Sequence, residues 1–290
     1  MNFSTPQRQS GANQPPDGKI VEPAAGWREE LERLAGKFAD LRAEWRGVDG
    51  MPGCPLQQAA ACLNRAETVM DDPDRAAALA FRALSLAPEF GRAHLVVGLL
   101  RSRRGEAEGL DHLLRSVELD PRRSHQAFAA IGAFLRKSHG HPRATDVRET
   151  IAALSDRAGM WATEREREPG LIESFLPADL GPSAETAIRA ALALNHDVAE
   201  ATIARRATSE WRHLPAFIVA LRLRPQWRGA SLADEEGASG GLAGLAGVID
   251  VYGSVQTVYP GGVRENFLLW RLRRARGAFH YRRAAEFAEG

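Results

Sequence analysis

Seven arginines near the C-terminal end of the chain form its strongest local concentration of charge. Between Arg264 and Arg283 they stand against one acidic residue, Glu265, which gives a local net charge of +6. Aromatic side chains are interleaved with them, and this combination can hold a nucleic-acid backbone or an acidic protein surface. The alternative, which we favour, is a solvated helix face whose arginines pair with Glu235, Glu236 or acids of the first domain, residues 23–160. The candidate binding residues are Arg271, Arg273, Arg274, Arg276, Arg282 and Arg283.

Two histidines and an aspartate in the middle of the chain are weak candidates for metal ligands. His139 and His141 flank a glycine and Asp146 follows, but this spacing does not place two ligands on one helix face. A neighbouring proline indicates that the histidines lie in a loop between helices. Cys54 and Cys62 form no CxxC pair and lie far from any histidine cluster. We therefore predict no metal site.

Three glycines, Gly241, Gly244 and Gly247, have the composition of a phosphate-binding loop. Such a loop must follow a strand and open a helix so that free amide groups point at the anion, whereas these glycines precede a predicted strand. The sequence also lacks a GxSxG nucleophile elbow, a P-loop and a kinase signature. We therefore predict that the protein has no cofactor, no catalytic residues and no enzymatic activity.

The elements that must position any binding site are organised around a repeat in residues 74–121. The segments ALSLAP and SVELDP place Pro88 and Pro121 one helical-repeat length apart. Small residues at Ala76, Ala80 and Ala83 form a face on which a neighbouring helix can approach closely. This part of the chain is therefore predicted to fold as paired helices.

This pattern resembles the tetratricopeptide repeat, a helix-turn-helix unit of about 34 residues. Ser116 and Gly109 depart from it because they stand where the repeat usually has alanine, and the second unit is one residue short. The alternative is a generic array of helical hairpins without a peptide site. The residues that match the two units are Ala76, Ala80, Ala83 and Pro88 in the first and Gly98, Gly105 and Pro121 in the second.

Tetratricopeptide repeats stack side by side and leave a concave groove, and the resemblance implies that this groove binds a protein partner. We predict a non-catalytic protein-protein interaction adaptor or chaperone-like scaffold. A regulatory or nucleic-acid-binding module acting through the C-terminal arginines is the alternative. The prediction requires that the chain's own C-terminal part does not fill the groove. Helix phase places four residues on the groove surface: Arg82, His94, Arg101 and His125.

The N-terminal half divides into a tail, a helical domain and a linker. Residues 1–22 are polar and proline-rich and are predicted to be disordered. From Trp27 to Trp45 an apolar seam recurs every three or four residues, which predicts a helix that either caps the array or forms a coiled coil. The helical-repeat domain then spans residues 23–160, with its last helix ending at Gly159. A charged run before a proline and a glycine indicates a linker at residues 161–174.

Residues 175–290 show a different pattern, that of a smaller α+β or α/β domain with a mixed four-stranded sheet. Segments 198–201 and 277–283 make residues 175–283 similar to the C-terminal domain of the enhanced serine sensitivity protein (SseB) family. That resemblance supplies no catalytic residues. The predicted strands are 198–208, 214–224, 248–259 and 278–281, and the predicted helices are 183–195, 233–246 and 264–274.

Composition bounds the class of protein and its location. The 290 residues carry a formal net charge of +1, which argues against a globally polybasic or polyacidic binder. Lysine occurs at three positions and arginine supplies nearly all the positive charge, which indicates a coding bias, and we expect a bacterial protein. No apolar stretch approaches the roughly 20 residues that cross a bilayer. The first thirty residues contain no secretory signal. We predict a cytoplasmic protein without membrane contact.

Overall fold

The computed structural model describes residues 27–37, 45, 54–170, 173–223, 247–259 and 263–283. The predicted tail at residues 1–22 and the predicted helix at 233–246 lie outside these ranges, as do Glu235 and Glu236. The described N-terminal half is helical, and the C-terminal part contains a mixed sheet with helices. The predicted fold class is confirmed at this level, whereas the two family resemblances and the division into domains stay predictions.

The elements fall into two groups, the helical array and the sheet region. Helices α2 and α3 pack against each other as one pair and α4 and α5 as another, while α6 packs more on α5 and α4 than on α7. The array consists of α1 (Trp27–Lys37), α2 (Pro55–Thr68), α3 (Pro73–Leu86), α4 (Gly91–Arg104), α5 (Glu108–Leu119), a 3-10 turn (Pro121–Arg123), α6 (Ser124–Lys137) and α7 (Ala144–Glu166). The sheet region consists of β1 (Phe175–Leu176), α8 (Pro182–Leu194), β2 (Val198–Arg206), β3 (Ala216–Leu223), β4 (Ser254–Val258), α9 (Val263–Arg274) and β5 (Phe279–Arg282).

Residues that start and stop helices set the limits of the first hairpins. The Asp72 carboxylate accepts a hydrogen bond from the Arg75 backbone N–H at 3.1 Å, and Pro73 occupies the first position of α3. Pro88 follows the end of α3. Gly105 ends α4 in the left-handed conformation, with a φ of 81°. These local rules explain why the helix pairs of the array were predictable.

The hairpins of the array pack closely because small residues face their neighbours. Ala76, Ala80 and Ala83 have no exposed surface. A Cβ atom at Gly98 would lie 2.7 Å from Leu113 Cγ and 3.0 Å from the Leu113 backbone nitrogen. Helices α4 and α5 therefore approach each other through a position that accepts no side chain.

A pair of glycine substitutions should separate this packing constraint from helix propensity. Gly98→Ala should lower the free energy of unfolding by about 1–3 kcal/mol, because α4 and α5 must move apart. Gly132→Ala, in the middle of α6, should raise it by about 1 kcal/mol, since its Cβ meets only Arg136 Nη1 at 3.4 Å. Denaturant unfolding of both variants measures the effect, and equal shifts in the same direction would contradict the explanation.

Helix α7 ends later than predicted. It continues past Gly159 to Glu166, into the range interpreted as a linker, so the predicted end at Gly159 is wrong. The physical reason is tertiary. Trp161 is fully buried in the core of the array, and the Arg206 guanidinium donates to the carbonyl oxygens of Glu164 and Arg167 at the helix end.

The sheet has strand order β1-β2-β3-β4, and β5 pairs with β2. Strands β1 and β5 share one edge of β2, opposite Arg206 and Ile203 respectively, while β3 lies on the other edge. The β3–β4 pair is parallel and the others are antiparallel, so the predicted mixed sheet is confirmed. The two-residue β1 was not predicted, and β4 begins at Ser254 because residues 247–250 are helical.

Helices cover both faces of the sheet. On one face Ile188 and Leu192 of α8 pack with Ile203 and Val219. On the other face leucines of α9 pack against the opposite side of β2 and β3. Both faces of the central strands are therefore buried, which explains their nearly continuous apolar sequences.

The sheet region is docked on the helical array through the loop between β2 and β3. Trp211 is 4% exposed, and its indole Nε1–H donates to the carbonyl oxygens of Val117 at 3.0 Å and Glu118 at 2.7 Å. These carbonyls belong to the last turn of α5, where helix carbonyls lack partners within the helix. His213 Nε2 contacts the Leu119 carbonyl oxygen at 3.1 Å. The loop therefore caps the end of α5.

Candidate functional site

A cleft of about 650 Å³ lies between the helical array and residues 247–251. Helix α2 forms one wall with Gln57, Ala60, Ala61 and Asn64. Four arginines line the cleft, from the start of α4, the 3-10 turn and the end of α7. Two aspartates also line it, so the lining residues carry a net charge of +2. The charged residues of the lining are Arg92, Arg122, Arg123, Arg165, Asp120 and Asp250.

The 3-10 turn positions the central arginines of the cleft. Asp120 starts the turn by accepting the backbone N–H of Arg122 at 3.0 Å, and Pro121 occupies its first position. Arg122 Nη2 and Nη1 then donate to the carboxylates of Asp120 and Asp250, each at 2.5 Å. Burial opposes the charged form, but these two carboxylates raise the pKa of Arg122. Arg122 therefore ties the turn to residues 247–253, while its neighbour Arg123 lines the cleft.

Two further arginines lie at the margins of the cleft, each beside an acidic partner. Arg92 donates to both oxygens of Glu67, at 3.0 and 2.6 Å. Arg165 lies 2.8 Å from a Glu166 carboxylate oxygen, with its guanidinium 5.0 Å from the centroid of the Trp161 ring. Bidentate and stacked contacts fix the direction of a guanidinium group, so the cleft presents oriented donors.

Residues 250–252 of the sheet region pack against the helical array. Val251 packs against the apolar cluster formed by α2, α3 and α4, and the Tyr252 hydroxyl lies 3.7 Å from Cys54 Sγ. Burial raises the pKa of Tyr252. One wall of the cleft is formed by Gly247, Val248, Asp250 and Val251, and the cavity beside them is open.

The four residues assigned to the groove from helix phase do not line this cleft. Arg82 is half-buried, 5.9 Å from the Trp45 ring centroid, and Arg101 lies 5.5 Å from the Phe81 ring centroid at a separate cavity of about 120 Å³ beside α1. His125 is exposed on α6. The placement of His94 on an open surface is wrong, because its ring is 3% exposed between α4 and α5.

His94 instead forms a buried pair with His112. Its Nε2 lies 2.9 Å from the Pro88 carbonyl oxygen, which can only accept, so this nitrogen carries the proton. Its Nδ1 then accepts from His112 Nδ1, 3.0 Å away, which leaves His112 Nε2 unprotonated and without a hydrogen-bond partner in the described structure. Burial lowers the pKa of both rings, that of His112 to about 3. The pair is therefore neutral and structural.

The C-terminal arginines are spread over several contacts. Arg273 and Arg282 lie beside Glu200, and Arg283 Nη2 donates to the carbonyl oxygens of Leu192, Ala193 and Asn195 at the end of α8. The guanidinium groups of Arg271 and Arg274 lie over the rings of Phe175 and Trp270, and Arg276 is exposed. Arg264 pairs with Glu168, which lies in the range predicted as a linker. Arg264, Arg273 and Arg282 thus pair with acids, but with Glu168 and Glu200 and not with acids of the first domain, while Glu235 and Glu236 lie outside the described residues.

Sequence reasoning missed the cleft arginines. The signal that could have found them is the run Asp120-Pro121-Arg122-Arg123, in which a cap and a proline fix two consecutive arginines at a helix junction. Comparison of the chain with protein-family models, curated proteins and solved structures found no match. Within the described ranges, no cluster of three His, Cys, Asp or Glu residues could hold a metal ion. No helix that the structure describes combines the length and apolar character needed to span a bilayer.

Proposed function

We propose that this protein is a non-catalytic adaptor or scaffold that binds an acidic segment of a protein partner in the cleft. The observation that carries the proposal is an open cavity of about 650 Å³ on the helical array that is lined by four arginines. Arg92, Arg122 and Arg165 are held in direction by acidic partners, and Arg123 lines the cavity beside them. Carboxylates of an extended segment match the planar guanidinium groups of arginine, which bind them through two parallel hydrogen bonds.

The shape of the cleft supports binding of a peptide. Ala60 and Ala61 give the α2 wall a low relief, so a peptide backbone can approach the helix closely. Phe90 and Val251 add apolar surface beside the arginines. A segment that alternates acidic and apolar side chains is complementary to such a lining.

The composition of the cleft supports binding rather than catalysis. The described residues that line it include no serine, cysteine, histidine or lysine. Both aspartates of the lining are engaged by Arg122, which makes them poor proton acceptors for a substrate.

Reversal of one cleft charge tests the proposal. Arg123→Glu should weaken the binding of a fluorescein-labelled peptide of alternating glutamate and leucine by about tenfold or more, because a carboxylate then faces the peptide carboxylates. Fluorescence anisotropy at low ionic strength measures the dissociation constant. The matched control is Arg148→Glu, the same change at an exposed position of α7 outside the cleft, and it should leave binding within about twofold of the native value.

Two outcomes overturn the proposal. One is that the native protein does not bind the acidic peptide more tightly than a peptide of alternating glutamine and leucine. The other is that both arginine variants lose affinity equally, since the peptide then responds to net charge and not to the cleft.

A further inference from the structure

Helix α9 leaves three large apolar side chains exposed on its outer face. Val263, Phe267 and Trp270 are 90%, 44% and 47% exposed and recur at helical spacing. Leu268 and Leu269 face the other way and are buried against the sheet. Single exposed apolar residues are ordinary on a protein surface, whereas several on one helix face mark an interaction surface. The exposed residues of α9 therefore have a role beyond holding the helix on the sheet.

The two aromatic rings of this face are stacked. The ring centroids of Phe267 and Trp270 are 5.5 Å apart, and the ring planes differ by 23°. The Arg274 guanidinium lies 4.2 Å from the centroid of the Trp270 ring. Because these contacts hold Phe267, Trp270 and Arg274 in one stack before a ligand arrives, less conformational entropy is lost when a planar group adds to its Phe267 end.

The charge beside the stacked rings is positive. Arg274 and Arg276 are exposed, and Glu265 is the one acidic residue in the sequence of α9. Arg273 is paired with Glu200, so its charge is largely neutralised. A ligand for this face must therefore combine planar groups with negative charge.

We propose that the outer face of α9 binds single-stranded nucleic acid. An unpaired base adds to the Phe267 end of this stack, where the ring is 44% exposed. Arg276, and the in-plane N–H groups of Arg274 over the Trp270 ring, contact the backbone phosphates. An acidic peptide satisfies the charge but makes no use of the stacked rings. A second copy of the chain would place the same arginines opposite each other, which opposes association.

Binding of a fluorescein-labelled oligothymidylate to the full chain at low ionic strength tests the proposal. Substitution of both Phe267 and Trp270 by alanine should weaken binding by at least about tenfold, the effect of losing one base–aromatic stack or more. Substitution of both Arg274 and Arg276 by alanine should flatten the salt dependence of the affinity. The control is Leu194→Ala, which removes a still more exposed apolar side chain from α8 and should leave binding unchanged.

Three results overturn this assignment. One is that the oligonucleotide does not bind the native chain even at low ionic strength. Another is that Leu194→Ala weakens binding as much as the aromatic variant does. The third is that sedimentation shows the native chain to be a dimer that the aromatic substitutions dissociate, which assigns the face to a second copy. Circular dichroism confirms that each variant is folded, and the salt dependence of the arginine variant is read independently of the aromatic one.

Discussion

Acidification from pH 7 to about pH 4 should lower the free energy of unfolding by about 3 kcal/mol through His112 alone. Burial, followed by the charges of His94 and Arg101, lowers the pKa of His112 from 6.5 to about 3. Below pH 6.5 the unfolded chain therefore binds a proton that the folded chain excludes until about pH 3. As the pH decreases from 6.5 to about 3, the free energy of unfolding decreases by about 1.4 kcal/mol per pH unit. Above pH 6.5 it does not depend on His112.

The surroundings of the histidine pair explain why neither ring can hold the extra proton. His94 is already a donor to Pro88 and an acceptor from His112, so protonation of its Nδ1 would place two N–H groups face to face. Protonation of His112 Nε2 would create a buried cation without a hydrogen-bond acceptor in the described structure. The other charged groups that act on the pair are Arg115 and Glu118 on His94 and Arg101 and Asp111 on His112.

The measurement is denaturant unfolding at a series of pH values for the native chain and His112→Leu. The variant should lose most of the difference in stability between pH 7 and pH 4, whatever its stability at pH 7, because leucine does not titrate. His125→Leu, on the exposed surface of α6, should keep the native pH profile. A His112→Leu profile parallel to that of the native chain would contradict the role given to the pair.

The helix pairs were predictable because their limits depend on residues that act locally. Asp72 with Pro73 starts α3, and Gly105 ends α4, whatever the rest of the chain does. The small residues that let α4 approach α5 are also visible in the sequence, as Gly98 shows. The strands of the sheet were recognisable for a similar reason, since their apolar residues are contiguous and bounded by turns.

The cleft was not predictable because residues from opposite halves of the chain form its walls. Gln57 and Asp250 meet only after the sheet region docks on the array. Helix phase failed at His94 for a related reason, since this face of α4 packs against α5, and the position of α5 is not contained in the sequence of α4. The late end of α7 likewise depends on burial of Trp161 and on capping by Arg206, contacts that no local pattern contains.

Substitution of Trp211 by alanine should be the most destabilising single change at the contact between the array and the sheet region, with a cost of about 3–5 kcal/mol. The buried indole packs in the same apolar cluster as the core of α5, α6 and α7, and the Arg157 guanidinium lies 4.7 Å from its ring centroid. Loss of the ring leaves a cavity in that cluster and removes the donor shared by the carbonyl oxygens of Val117 and Glu118.

A series at the same position separates packing from hydrogen bonding. Trp211→Phe keeps most of the apolar contact but removes the indole N–H, so it should lower the free energy of unfolding less than Trp211→Ala does. The difference between the two variants measures the contribution of packing. Trp270→Ala is the control, since that ring is half-exposed and its loss should change stability by less than about 1 kcal/mol. Denaturant unfolding followed by circular dichroism measures all three.

If Trp211 holds the two regions together, Trp211→Ala should also split one cooperative transition into two, because each region then unfolds on its own. A single transition with a native midpoint would show that other contacts, such as Arg122 with Asp250, are sufficient for docking.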